Sequence, residues 1–359
     1  MSTSIRSRRS ALAALLVTSV AAACGDSTGP SGPFDPQGAA QAVQEMVAAT
    51  DGLQDAFGSV QLASPLFEST ASADLLPGGG GWVLPGPGVT RELAATYDPA
   101  ALELAAFFPS NYLGVTFVWD ELEGAYVPSE QAGAPSDGIR IVYYAVDPFT
   151  QQPISPLTPL GHVDLRDLST AASERLGTTV VRASGGAPVT LADYYIDVSY
   201  SVTQTQAVVQ VESVGYLSNG TDRLDFDMGQ DATLTSSNDV VVSQDFRMSL
   251  EGTDVSVRYQ AELAGNLEGT GATLELTATV NRGGNRVVFN LQLGEESLDG
   301  SVVHNGTTVA LIAGTPEAPE FTNGAGEPLT EEDVAALEDL FAALASLFEL
   351  AEGIFGPAM

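Results

Sequence analysis

The chain has 359 residues, with 46 aspartates and glutamates against 13 arginines, no lysine, two histidines and one cysteine, for a formal charge of −33. Such a surplus of carboxylates repels phosphate backbones and anionic headgroups, which excludes nucleic-acid binding. The missing lysine removes the phosphate-binding P-loop, Schiff-base chemistry and Ser-Lys dyads, and a single cysteine removes any internal disulfide.

The N-terminus carries Arg6, Arg8 and Arg9, followed by an apolar stretch from Ala11 to Ala23. A positive region before a short apolar run is the pattern of a secretory signal, and the run is too short for a bilayer span of about 20 residues. It ends Val20-Ala21-Ala22-Ala23-Cys24-Gly25. Small residues leading to a cysteine resemble the lipobox of bacterial lipoproteins, with Ala21 where that family usually has leucine. The resemblance covers the export signal alone. It implies removal of residues 1–23 and attachment of diacylglycerol to Cys24, and two acyl chains anchor stably where one does not. Gly25 in place of a retaining aspartate implies outer-membrane delivery, with the periplasmic or surface face left open. After cleavage ten arginines face the 46 carboxylates, a formal charge of −36.

Residues 24–35 form the lipidated cysteine and a Gly/Ser/Pro linker, and Gly25 to Phe34 would reach about 17 Å as a coil. Residues 36–359 read as a single globular domain. Asp35 and Pro36 suit a helix start, and Val43, Met46, Val47, Leu53 and Phe57 follow at helical spacing, which places a helix at 36–57. Leu75 to Gly88 is a Gly/Pro loop.

Aromatics crowd the stretch from Tyr97 to Phe149. They read as core and strand-pair side chains, with a sugar-stacking platform as the alternative. Strands are expected at Gly114–Trp119, Ile139–Val146 and Gly161–Leu165. From Asp193 onward, strand-like runs at 193–202, 207–216, 221–227, 240–250, 254–264, 272–281, 285–294 and 301–312 alternate with turn residues. Asn219-Gly220, Gly283-Gly284 and Asn305-Gly306 supply the positive φ that tight hairpins require. Val255, Val257, Tyr259, Ala261 and Leu263 fall on one side of a run, Ser256, Arg258, Gln260 and Glu262 on the other. Strands over 113–313 thus form an antiparallel meander with one apolar face.

Thr330 and Asp333 make a capping box, with Leu329 and Val334 as a hydrophobic staple. Val334, Leu337, Phe341, Leu344, Phe348, Ala351 and Phe355 then form one apolar stripe, widened by Leu340, Leu347 and Ile354, over 330–355. The fold expected is α+β and mainly β: a large curved antiparallel sheet packed on amphipathic helices from both chain ends. A membrane-spanning barrel fits the strand count but not the terminal helix or the lipid anchor.

Chemistry is sparse. His162 and His304 have no metal-ligand spacing and read as structural. Asp225, Asp227 and Asp231 miss the EF-hand pattern and read as solvated strand acids, with calcium as the alternative. Asn219-Gly220-Thr221 and Asn305-Gly306-Thr307 match glycosylation sequons but serve better as turns. No catalytic, cofactor or metal residue is assigned. Apart from the export signal, the chain is similar to acidic envelope lipoproteins and, by layout only, to lipid-binding envelope folds. The expectation is a membrane-anchored envelope lipoprotein of non-catalytic, structural or surface-display type. The alternatives are a binder of lipid or another apolar ligand on the concave sheet face, and a carboxylate-dependent hydrolase.

Overall fold

In the computed structural model the described residues are 108–355, without 146, 148–152, 171–172, 184–185, 238, 267–270 and 317, plus residues 41, 43–45 and 48; the side chains of 345–355 are not described. The expected signal sequence, Cys24, the expected linker and 75–88 loop, and most of the helix expected at 36–57 lie outside them. Residues 41, 43–45 and 48 are helical.

Fifteen strands are hydrogen-bonded in the order β15-β14-β13-β12-β11-β10-β9-β8-β7-β6-β5-β4-β3-β1-β2. They are β1 Val115–Asp120, β2 Ala125–Ser129, β3 Gly138–Tyr144, β4 Pro159–Asp167, β5 Glu174–Arg182, β6 Val189–Val202, β7 Gln206–Ser218, β8 Arg223–Thr235, β9 Asp239–Leu250, β10 Ser256–Asn266, β11 Thr273–Arg282, β12 Asn285–Leu293, β13 Leu298–His304, β14 Thr307–Thr315 and β15 Ala318–Thr322. A helix, Glu331–Phe355, ends the described chain. The protein is therefore mainly β, with an antiparallel-dominated sheet and helical segments, as the alternating pattern implies.

Two details depart from the sequence reading. The expected run 301–312 is two strands, because Asn305 takes φ of +50° and Gly306 +85° and the chain reverses there. The meander is also broken at one point: β1 pairs with β3 in parallel, Val115 opposite Ile139 and Phe117 opposite Ile141. The β1–β2 hairpin leaves β2 on the outside, so the chain returns past it before forming β3. Both end strands, β2 and β15, are five residues long and contain a proline, Pro128 and Pro319. Short edges with a missing N–H resist strand addition by another chain.

The contacts divide the chain into two compact units. The first holds the residues up to 48, 203–208 and 229–351. Here registered rows cross the strands: Phe246, Tyr259, Ala278, Phe289, Val302 and Ala310 stand side by side on one face. The C-terminal helix packs on them. Leu337, Leu340, Phe341 and Leu344 are at most 7 % exposed, and the Phe289 and Phe341 rings lie 5.2 Å apart. Thr330 starts that helix by accepting from the Asp333 N–H at 3.2 Å, while its own hydroxyl donates to the Asp333 carboxylate at 2.6 Å. The second unit comprises 49–202, 209–228 and 352–359. Its central row is Phe117, Ile141, Val163, Val180 and Ala192, all buried. Strand β3 is buried on both sides, because the run Ile141-Val142-Tyr143-Tyr144 offers no polar face to water.

Candidate functional site

Among the described residues of the second unit, one cluster of ionisable groups lies on the side of β3 and β4 that carries Arg140 and Asp164. Antiparallel register sets Arg140 directly opposite Asp164. A period of two puts His162 on the same side as Asp164. Arg140 donates to Asp164 through Nε at 2.6 Å and Nη2 at 2.7 Å, a bidentate fork. His162 Nε2 stands 3.8 Å from Asp164 Oδ2, beyond hydrogen-bond reach. The Arg140 side chain is 23 % exposed and that of Asp164 17 %.

Electrostatics follow from that packing. Burial holds the His162 imidazole below its ordinary pKa, the Arg140 charge pushes the same way, and Asp164 opposes both. The bond to Asp164 raises Arg140 above its usual value. A catalytic triad needs a carboxylate free to orient the imidazole and a hydroxyl on the other ring nitrogen. Here Arg140 engages both Asp164 oxygens. The nearby Thr179 hydroxyl donates to Asp193 at 3.1 Å. Thr116, whose buried hydroxyl has no partner, is in register with Arg140 rather than His162. The cluster is an ion pair with a neutral histidine beside it.

That arrangement has a pH signature. A histidine whose folded pKa lies below its unfolded value near 6.5 contributes stability that is complete above that value and lost as pH falls through it. Glu174, raised chiefly by burial and then by Asp167, acts in the opposite sense, so the comparison must be between variants. The urea midpoint of the wild type should fall more between about pH 7.5 and about pH 5.5 than that of His162→Gln. Parallel pH slopes would show that the ring does not titrate differently on folding.

His304 is 5 % exposed, and its Nε2 lies 3.2 Å from the Asn305 amide nitrogen. It stands opposite Val287 in the row that continues through Val280 and Val257, inside the core of the first unit. The two histidines are on β4 and β13 and belong to different units. Asn305 works as a turn residue: its Oδ1 accepts from the Arg286 N–H at 2.8 Å and its Nδ2 donates to Asn285 at 3.0 Å. Asn219 acts likewise, accepting from the N–H groups of Thr221 and Asp222, both at 2.8 Å. Both sequons are hairpin turns.

The acids resolve in the same direction. Asp225 is held by Arg223 at 2.7 Å, and no group of three or more His, Cys, Asp or Glu among the described residues could hold a metal ion. The described aromatics of the 97–149 stretch are largely core. Phe108, Phe117, Trp119, Tyr126, Tyr143 and Tyr144 are all 7 % exposed or less, with Trp119 and Tyr126 edge to face at 5.5 Å. Tyr97, Phe107 and Phe149 lie outside the described residues. Burial pushes the Tyr126 phenol far up and Tyr259 up to about 12. No sequence signal points to the Arg140–Asp164 pair, since only the β3–β4 register brings together residues 24 apart.

The apolar side of the first unit is the other candidate. It is closed where the helix lies, with Val302 and Leu340 at 0 % exposure. It opens toward the opposite strand ends, where Val242, Leu263, Leu274 and Leu293 form a row and Leu263 is 39 % exposed. No family model, curated protein or solved structure matches this chain.

Proposed function

We propose that the protein is a lipid-anchored lipoprotein of the cell envelope, delivered to the outer membrane, whose sheet is a non-catalytic structural or display body. The observation that carries this reading is the sequence Ala21-Ala22-Ala23-Cys24-Gly25, placed after a charged and apolar leader and holding the only cysteine. Diacylglycerol on that thiol holds the chain at a membrane without any spanning segment. A non-catalytic role is supported by the way the ionisable groups are used. Arg140, Arg166, Arg175, Arg223, Arg247, Arg258 and Arg282 each form an ion pair with a carboxylate of the same chain. Three of these pairs, Arg140–Asp164, Arg175–Asp197 and Arg258–Asp245, cross between neighbouring strands and hold them in register.

Expression of the full precursor in a bacterial host tests the anchor. The wild type should sediment with membranes and carry the added mass of diacylglycerol on its N-terminal peptide, whereas Cys24→Ser should move to the soluble fraction with no added mass. Identical fractionation of the two proteins without acylation would overturn the proposal.

A second reading rests on the partly open row at Leu263: a lipid or other apolar ligand lying against Val242, Leu263, Leu274 and Leu293. Native mass spectrometry of the purified protein separates the two readings. A bound lipophile that is lost in Leu263→Glu supports the ligand; an unliganded mass supports the structural body.

A further inference from the structure

Strands β9 to β14 of the first unit all run between two opposite ends, and those ends differ. At one end are the turns Glu251–Asp254, Gly283–Gly284 and Asn305–Gly306; at the other are the start of β9, the end of β10, the turn Gly294–Ser297 and the end of β14. The half nearer the Gly283–Gly284 turn holds Asp245, Glu251 and Asp254 and, among the described residues of this unit, every arginine: Arg247, Arg258, Arg282 and Arg286. The opposite half has none. It carries Asp239, Glu262, Glu275, Glu295, Glu296 and Asp299, each exposed. Glu262 and Glu275 stand directly opposite each other across β10 and β11 with no arginine in their row.

The N-terminal helical segment docks at the arginine-bearing end. Val43 is 0 % exposed, and Glu45 accepts from Arg282 Nη2 at 2.7 Å, at the last residue of β11. Seventeen positions separate Cys24 from Gln41. Of these, the ten linker residues Gly25 to Phe34 would reach about 17 Å as a flexible coil. Strand β11 has 10 residues, so its far end lies about 33 Å beyond Arg282.

We propose that the first unit stands on the membrane with its Gly283–Gly284 and Asn305–Gly306 end against the anionic lipid headgroups and its acidic end directed away. The inference rests on acylation of Cys24 and adds the orientation that the anchor imposes. Two features select it. The Glu45–Arg282 link attaches the tether at that end. The charge asymmetry adds to it, because a negative bilayer surface repels the carboxylates of the acidic end more than the end where Arg247, Arg258 and Arg282 are paired with Asp245 and Glu45. The surface is one of orientation; the acyl chains supply the adhesion.

The test uses the full acylated protein in vesicles of phosphatidylglycerol and phosphatidylethanolamine that carry a nitroxide on a fraction of their headgroups. Lipid blocks Cys24, so one introduced thiol takes a fluorophore, at Thr307→Cys near the Asn305–Gly306 turn or at Glu296→Cys at the opposite end. Both positions are exposed. Quenching should be severalfold stronger at 307 than at 296, and should become more even in Glu45→Arg, with the difference restored in Glu45→Arg/Arg282→Glu. Equal or reversed quenching in an acylated protein overturns the orientation alone. A protein that carries no acyl group overturns the anchor and the orientation together.

Discussion

Phe289→Ala is expected to destabilise the protein by about 4 kcal/mol, within the range found for removing a buried phenylalanine ring. Phe289 is 1 % exposed, sits in the middle of the row from Phe246 to Ala310 and faces Phe341 at 5.2 Å. Truncation removes a ring held by strand neighbours on both sides and by the helix above. The sheet backbone is fixed by its ladders and cannot close the space, so the cavity term adds to the lost transfer energy. Leu311 provides the control: it lies on the opposite face of β14 at 37 % exposure, and Leu311→Ala should change stability by about 0.5 kcal/mol or less. Urea unfolding of the three proteins measures both. A loss below about 1.5 kcal/mol for Phe289→Ala would mean that the helix does not close a packed core there.

Asp164→Ala is the second large effect, a loss of about 3 kcal/mol. The variant leaves the part-buried Arg140 side chain without the carboxylate that accepts both of its donated bonds. It also exposes His162 to that charge with nothing opposing it, which should lower the histidine pKa further, since Asp164 is the group that raises it. Replacing both partners removes the orphaned charge. Arg140→Met/Asp164→Leu should therefore recover most of the loss, because a buried ion pair and an apolar pair of similar volume are close in energy. A double variant as unstable as Asp164→Ala would show that the pair contributes more than mutual neutralisation. Chemical denaturation at neutral pH with an NMR titration of His162 reads both quantities.

Both effects depend on cross-strand register, and register separates what was legible from what was not. The alternation in the 255–263 and 274–280 runs is written in the side chains, and β10 and β11 follow it closely. The Thr330–Asp333 start and the Leu337–Leu344 stripe were likewise local patterns, and the helix begins and buries its face where they place it. Turn chemistry was legible where glycine follows asparagine. That includes Asn305-Gly306, although the apolar rhythm on both sides of it runs through 301–312 as if it were one strand. Strands β5 and β15 had weak signals: Gly177 interrupts one and Pro319 shortens the other.

The candidate site was legible only in its components. His162 and Asp164 share a side by simple alternation, but Arg140 joins them only because β3 folds back on β4 with one particular register. The same is true of Glu45 and Arg282, which are 237 residues apart. Composition alone determined the absence of lysine, the acidic excess and the single cysteine, because these are properties of the list of residues and need no geometry. Tertiary structure decided which carboxylates are neutralised, that β1 and β3 run parallel, and that the arginines of the first unit gather toward one strand end. Those outcomes depend on which strands become neighbours and at what offset. A shift of two residues would keep every side chain on its face while changing every cross-strand partner, and local alternation does not exclude it.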